Sequence, residues 1–457
     1  MATSCYSRAS SIIALFVGFL LLLPPPVLLL PPPEANTTHH SRVELETLRR
    51  VRARLRKLQK PSLKTIQSGE GDIIDCVPSH LQPAFDHPKL LGQKPLGRRR
   101  RRTRRQRRVF SRGLLPASRA RAGTVPIRRA TEADVLRASS VKRFGRKPAA
   151  RRRPLSATGG HEHAVGYVIG DQYFGAKASL NFSLSQIWVI SGSFGDDLNT
   201  IEAGWQVSPE LYGDAYPRFF TYWTSDSYQT TGCYNLLCSG FVQTTNKFAI
   251  GTAISPISTY GGSQFDISLL IWKDPKQGHW WLEFGGRLIV GYWPSELFSH
   301  LGQHATMVQF GGEVVNGGPA GGGGPSYHTA TEMGSGRFSG EGFGRASYFR
   351  NLQVVDWDNS LVPPPALRLL ADRPACYDIR GGLHPSGAPT STTAAPAGIA
   401  AVLVESISDA RLSLSLFSSL LTVSSPSHFL PLLSLLSLKS SSGEVSLSLL
   451  SFMGVPL

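Results

Sequence analysis

The feature that most restricts the fold is the texture of the sequence from about Gly159 onward. "AVGYVIG", "QIWVISGS", "FFTYWTSDS", "GFVQTT", "FAIGTAIS", "FDISLLIWKD", "HWWLEF" and "LIVGYW" are short runs of β-branched and aromatic residues, punctuated by Gly, Ser and Asp-Pro roughly every 8–12 residues. A helix needs apolar residues three and four apart, and nothing here sustains that period beyond two turns. The expectation is an all-β domain, an antiparallel β-sandwich whose core is filled by Trp and Phe.

Within that texture two carboxylates sit awkwardly. In "NTIEAGWQVSP" alternation puts Glu202, Gly204 and Gln206 on one strand face, and in "VQFGGEVVN" it puts Gln309, Gly311 and Glu313 on one face. Strands disfavour Glu, and burying an unpaired charge is costly. Two such acids facing one cleft can share a proton, with one pKa raised and the other lowered, and can then activate water and protonate a leaving group. The plainer reading makes each a hydrogen-bonded or edge strand residue, and spacing alone leaves both open. The glycines would clear space around each acid, and Gln206 and Gln309 are same-face candidates for positioning water or an oxyanion. Trp205, on the opposite face, is expected in the core. Tyr222, Trp223 and Tyr292 are candidates either for the core or for stacking on a substrate. "GHEHAVG" sets His161 and His163 on one face, as either a polar strand edge or part of a metal site. No nucleophile elbow, zinc-protease motif, paired C-x-x-C or dinucleotide-binding glycine pattern is present, so no cofactor or metal is expected.

Composition divides the rest. Residues 1–33 hold an apolar run, "SIIALFVGFLLLL", and a proline stretch; they read as a secretory signal peptide, with a signal anchor as the alternative and no stable membrane span expected. Residues 34–156 form a basic region, in which "SRVELETLRRVRARLRKLQK" reads as a short amphipathic helix and "HLQPAFDHPKLLGQKP" as an extended, docked segment. The first 156 residues carry 34 of the chain's 48 Lys and Arg but only 9 of its 31 Asp and Glu, so a basic front half faces a mildly acidic back half. The arginine block at 98–108 reads as a solvated linker, a processing site or, less readily, a nucleic-acid contact. No aromatic residues interleave it, and no nucleic-acid partner is expected. The sandwich is expected over 157–382, and the Ser/Leu-rich residues 383–457 read as a disordered tail or one foreign to the fold. Export makes disulfides possible: Cys233 and Cys238 can close a small loop, while Cys76 and Cys376 lack obvious partners. Sequons stand at Asn36 and Asn181.

Several long ordered segments resemble the neprosin family of plant proteins: "GDIIDCV", "QPAFDHP", "TVPIRR", "NTIEAGWQVSPELYGD", "TYWTSDSYQTTGCYNLLCSGFVQ", "VQFGGEVVN" and "MGSGRFSGEGFGRASYFRNLQVVD". The resemblance spans roughly residues 40–90 and 120–382. It implies a secreted glutamic peptidase, made as a zymogen with an N-terminal activation peptide, acting at acid pH and cleaving after proline. It also implies that Glu202 and Glu313 are the catalytic pair. Substrates would be proline-containing peptides, and the pro-region would be an intramolecular inhibitor, its basic charge clamping an acidic cleft until acid releases it. The chain departs from the family where Ala120 replaces a Cys before "GTVPIRR", and after Cys376, where "GGLHPSGAPT" replaces the closing strand and final Cys. The competing reading is a non-catalytic secreted β-sandwich that binds glycans or cell-wall material.

Overall fold

The computed structural model describes residues 42–97, 120–147, 161–181, 185–315, 331–383, 389–394, 438–440 and 443–445. The apolar N-terminal run, Asn36, the arginine block, the glycine-rich residues 317–326 and most of the tail lie outside them.

The β-rich grammar resolves into two antiparallel sheets. One orders its strands β17 (Asp378–Leu383), β18 (Pro389–Ala394), β14 (Ser347–Val355), β5 (Gly175–Asn181), β10 (Asp266–Lys273), β11 (Trp280–Phe284), β12 (Leu288–Trp293) and β9 (Val242–Gln243), with β15 (Leu361–Val362) paired on β14. The other orders β16 (Arg368–Ala371), β4 (His161–Tyr173), β13 (Ala305–Val315), β6 (Ser185–Ser191), β7 (Asn199–Gln206) and β8 (Arg218–Thr224). Alternation sends Ala176, Ala178 and Leu180 of β5 and Leu269 and Ile271 of β10 into one core with Ile187, Val189, Ile201, Ala203, Trp205, Phe219, Val308 and Phe310 of the second sheet. Trp205 packs edge-on against Phe219 and Phe284, as expected of a core tryptophan. At about 25 cal/mol per Å² of apolar surface, this aromatic interior is the main source of the domain's stability.

The sandwich reaches further than composition suggests. Residues 389–394, "PTSTTA", pair with β14 and with β17, so the sheet runs past residue 382. β-Branched threonines suit a strand, and a cut based on low-complexity composition cannot register that. Asn181 is also corrected as a glycan site. Its side-chain amide is buried and donates to Ser258 Oγ (3.0 Å) and Gln264 Oε1 (3.2 Å), so the nitrogen that would carry a sugar is inside the protein.

The basic region is a docked structure. Helix α1 (Arg42–Leu58) buries Val51 and Leu55, four residues apart, and packs on the segment at 132–143; a small three-stranded sheet is formed by β1 (Lys64–Gln67), β2 (Ile73–Pro78) and β3 (Thr124–Arg128). Helix α2 (Glu132–Arg137) starts at a capping box formed by Thr131 and Asp134. The segment expected to be extended folds into three 3₁₀ turns, at Ser79–Leu81, Pro83–Asp86 and Pro88–Leu90. Its docking is real: Gln82 Nε2 donates to Gln243 O (3.1 Å), and Gln243 N donates back to Gln82 Oε1 (2.8 Å). Val51, Leu55, Phe85, Leu90 and Phe144 join the same core cluster as the sandwich. Among the described residues no helix is long and apolar enough to cross a membrane.

Candidate active site

Because Ile201, Ala203 and Trp205 face the core, Glu202 emerges on the far side of its sheet, and there it is fully buried. β7 and β13 are not neighbours; β6 lies between them, registered as Glu202 opposite Trp188 and Gly311 opposite Gln186. The glycines do something other than clear room for the acids. A Cβ on Gly204 would lie 2.2 Å from Ser185 O, and one on Gly311 would lie 2.1 Å from Ala164 O, so their absent side chains let adjacent strands close up.

The two glutamates meet at a lysine. Lys147, from the basic region, places its Nζ 2.8 Å from Glu202 Oε2 and 2.9 Å from Glu313 Oε2. Those two oxygens are therefore no farther apart than the sum of the two contacts, 5.7 Å. The Lys147 side chain is only 5% exposed, Glu202's 0% and Glu313's 10%. The lysine is aimed by its own chain. Gly145 adopts φ +81°, where a Cβ would sit 2.9 Å from Leu237 Cβ. Its carbonyl accepts from Tyr234 N at 2.8 Å, and Lys147 N donates to Tyr222 OH at 3.3 Å. The ammonium also lies over the rings of Tyr222 and Tyr228.

Each glutamate has its own further partners. Glu202 Oε1 accepts from Thr200 Oγ1 (2.8 Å) and Tyr228 OH (3.0 Å), both uncharged donors. Glu313 Oε2 accepts from Gln186 Nε2 (3.0 Å), and its Oε1 lies 2.6 Å from His161 Nδ1 and 3.7 Å from His163 Nε2. His163 Nδ1 in turn meets Asp372 Oδ2 at 3.0 Å. Burial alone would drive these charged forms out, and their mutual contacts reverse that. Burial lowers the affinity of Lys147 for its proton, but the charges of Glu202 and Glu313 outweigh this and hold it well above the ordinary lysine value. Burial would raise the Glu313 carboxyl, yet the charge of Lys147 and then the bonds from His161 and His163 hold it well below the carboxylate range. His163, which burial would neutralise, is raised to about 9 by its bonds to Asp372 and Glu313.

The other residues singled out from sequence go elsewhere. Gln206 Nε2 donates to Tyr212 OH (3.1 Å) and Gln309 Nε2 to Met307 Sδ (3.1 Å), so the structure does not support either as the water- or oxyanion-positioning amide. The physical reason is the intervening strand: β6 lies between the acids, so its Gln186 supplies the amide that reaches Glu313. His161 and His163 are turned to carboxylates, and among the described residues no cluster of three or more His, Cys, Asp or Glu is arranged to hold a metal. Tyr222, Trp223 and Tyr292 are buried, and each is touched by the basic region, through Lys147, His87 and Leu96 respectively. Cys233 and Cys238 form a disulfide with Cα atoms 5.7 Å apart, and Cys76 and Cys376 are free.

The neprosin activation-peptide model matches residues 65–167, and the neprosin model matches residues 179–390. The chain belongs to the neprosin family. Among solved structures, a scytalido-glutamic peptidase with a transition-state-analogue inhibitor aligns at 13% identity and TM-score 0.25, over 46% of this chain and 86% of that one. The same type of peptidase with a peptide-based analogue aligns at 12% and TM-score 0.25, over 54% and 98%. SCP-B, a member of the Eqolisin family, aligns at 9% and TM-score 0.25, over 46% and 86%. Likeness at that level is too low to transfer any residue role.

In this neprosin the lysine between the glutamates thus belongs to the activation peptide. The charge relation between the two parts is more local than the bulk segregation suggests. Lys147 on Glu202 and Glu313 has the expected sign, but buried Arg218 of the sandwich pairs with Asp72 of the activation peptide (2.8 Å), which is the reverse. Thr200, Gln186, Tyr228 and Asp372 had no signal beyond being polar residues near strands, and Lys147 was one cation among many.

Proposed function

We propose that this protein is a secreted glutamic endopeptidase made as a zymogen, which cleaves proline-containing peptides in acid. The observation that carries the reading is the Lys147 ammonium, held 2.8 Å and 2.9 Å from two buried glutamates. Those are hydrogen-bond distances, so once the activation peptide leaves, a water in the same place contacts both carboxyl groups. One glutamate, ionised, takes a proton from that water as it attacks the scissile carbonyl. The other, protonated, polarises the carbonyl and then protonates the departing amine. Gln186, bonded to the Glu313 oxygen that faces the gap, helps hold water or oxyanion there. The apolar cluster of Trp188, Tyr167 and Tyr228 beside Glu202 supports an apolar substrate residue, and the family resemblance supplies proline. The N-terminal apolar run and the Cys233–Cys238 disulfide support export.

Latency follows from the same contacts, because the activation peptide fills the catalytic position with a cation. The test compares Glu202→Gln and Glu313→Gln with the parent chain on a quenched proline-containing peptide at pH 3–5. Both variants should lose cleavage by at least about a hundredfold. Wild-type rates from either would end the two-glutamate reading, and glycan binding without cleavage by the parent chain would favour a binding module.

A further inference from the structure

Two histidines and an aspartate stand behind Glu313 in an arrangement that activation-peptide latency does not need. Glu313 is directly opposite His163 in the β13–β4 register, and Val315 opposite His161, so both imidazoles rise on the face that carries Glu313. Glu162, between them, turns to the other face and meets Arg373 at 3.4 Å. β16 adds the next layer: Ala371 pairs with Ala164, and Asp372 N donates to His163 O at 2.9 Å. The Asp372 carboxylate then takes both the backbone N–H of His163 (2.9 Å) and its Nδ1 (3.0 Å). That double anchor turns the other ring nitrogen, Nε2, toward Glu313 Oε1. His161 reaches the same oxygen, while Oε2 is left facing Lys147 and Gln186.

We propose that His161, His163 and Asp372 form a positioning arm that fixes Glu313 by one oxygen and supplies its positive neighbour after Lys147 departs. The inference rests on the peptidase reading above. His161 and His163 lie on β4 and Asp372 directly follows β16, both strands of the sandwich, whereas Lys147 lies outside either sheet. The activation peptide is taken to part from the sandwich between Lys147 and His161, inside the span its family model matches. The groups facing Glu313 are Lys147 from the activation peptide, His161 and His163 from β4, Gln186 from β6, Glu202 from β7, and Tyr228 and Tyr234 from the loop after β8. With Lys147 gone, His163, raised by Asp372 and Glu313, is the cationic member of that set. Glu202 keeps only the hydroxyls of Thr200 and Tyr228. The arm therefore favours the charge on Glu313. It touches no substrate and acts through Glu313, so its members are positioning residues.

An opposite charge within about 4–6 Å shifts a carboxyl by 1–3 pH units, so removing the imidazolium should move the acid limb of the rate profile. The full chain is activated in acid, and its kcat is measured from pH 2.5 to 7 on a proline-containing peptide, beside His163→Gln and Asp372→Asn. The expected result is an acid limb raised by about one unit in His163→Gln, less in Asp372→Asn, with KM nearly unchanged. An unmoved limb with kcat lowered equally at every pH, or a limb moved downward, overturns the proposal. A second readout does not need turnover. In the unprocessed chain the His163 ring, followed by NMR, should stay protonated to about pH 9 and titrate lower in Asp372→Asn. Titration near the ordinary histidine value, insensitive to Asp372, overturns it as well. Glu202→Gln and Glu313→Gln separate the two ideas. If either cleaves at the wild-type rate, the peptidase pairing fails whatever the histidines do. If both are inactive and the His163→Gln limb is unmoved, only the arm is wrong.

Discussion

Replacing Lys147 with Met should convert a latent chain into a leaky one, and the structure sets the size of the effect. Met keeps most of the apolar length of the side chain but leaves two buried carboxylates, their near oxygens within 5.7 Å of each other by the 2.8 Å and 2.9 Å contacts. Breaking a buried charge pair by deleting one partner costs about 3–5 kcal/mol, or roughly two to nearly four decades in the docking equilibrium. The pair has one way to relieve this, which is to share a proton, since two adjacent acids raise the pKa of one of them. The sign follows. Glu313 is held well below its ordinary value by Lys147, so the clamp is at full strength above the ordinary carboxyl range and is lost only as pH falls through the depressed value. The variant lacks that contribution and must take up a proton, so its docking deficit is largest near neutrality and shrinks in acid. The assay uses full-length, unprocessed protein: peptide turnover at pH 4–5, and susceptibility of the activation peptide to an added protease at pH 7.5 and 4.5. Lys147→Met should cleave peptide before processing, and its activation peptide should be far more accessible at pH 7.5. A variant as latent and as protected as the parent at both pH values would refute the plug.

The depressed Glu313 carboxyl also means that mild acid does not break this contact, so an acid trigger must lie elsewhere. His87 is half-buried against Trp223, its Nδ1 accepting from Lys89 N, and burial followed by the Lys89 charge lowers its pKa. The docked state is therefore favoured above about pH 6.5 and loses that advantage as pH falls through the histidine range. His87→Phe should flatten the pH dependence of activation between about pH 6.5 and 5, measured as processing rate on a gel; an unchanged curve would discard His87 as the trigger. Asp72, buried between Arg128 (2.7 Å) and Arg218 (2.8 Å), is held low by those guanidiniums despite its burial. Asp72→Asn should lower stability at pH 7 by about 3 kcal/mol, with the difference vanishing as pH falls well below 4, as read by thermal unfolding; a constant difference would contradict the linkage.

Much of this protein was legible as sequence because strand grammar is local. Alternation alone placed Ile201, Ala203 and Trp205 on one face and Glu202 on the other, and the structure keeps that assignment. Cys233 and Cys238, five residues apart, close their loop as spacing allowed. The pairing of Glu202 with Glu313 was legible only through the family resemblance and not from strand spacing, because it depends on β6 lying between β7 and β13 in a sheet whose order does not follow the chain. For the same reason Gln206 and Gln309 looked well placed, while Gln186, on the intervening strand, reaches the carboxylate. Burial is likewise a property of the assembled sheets and removes Asn181 from the glycan candidates, while strand pairing brings residues 389–394 into the sandwich. Sequence by itself determined the strand faces and the charge carried by the N-terminal region. Only the tertiary structure decided which one of its many cations mattered, since choosing Lys147 required a turn at Gly145 and two carboxylates from strands that are distant in the chain and not adjacent in the sheet.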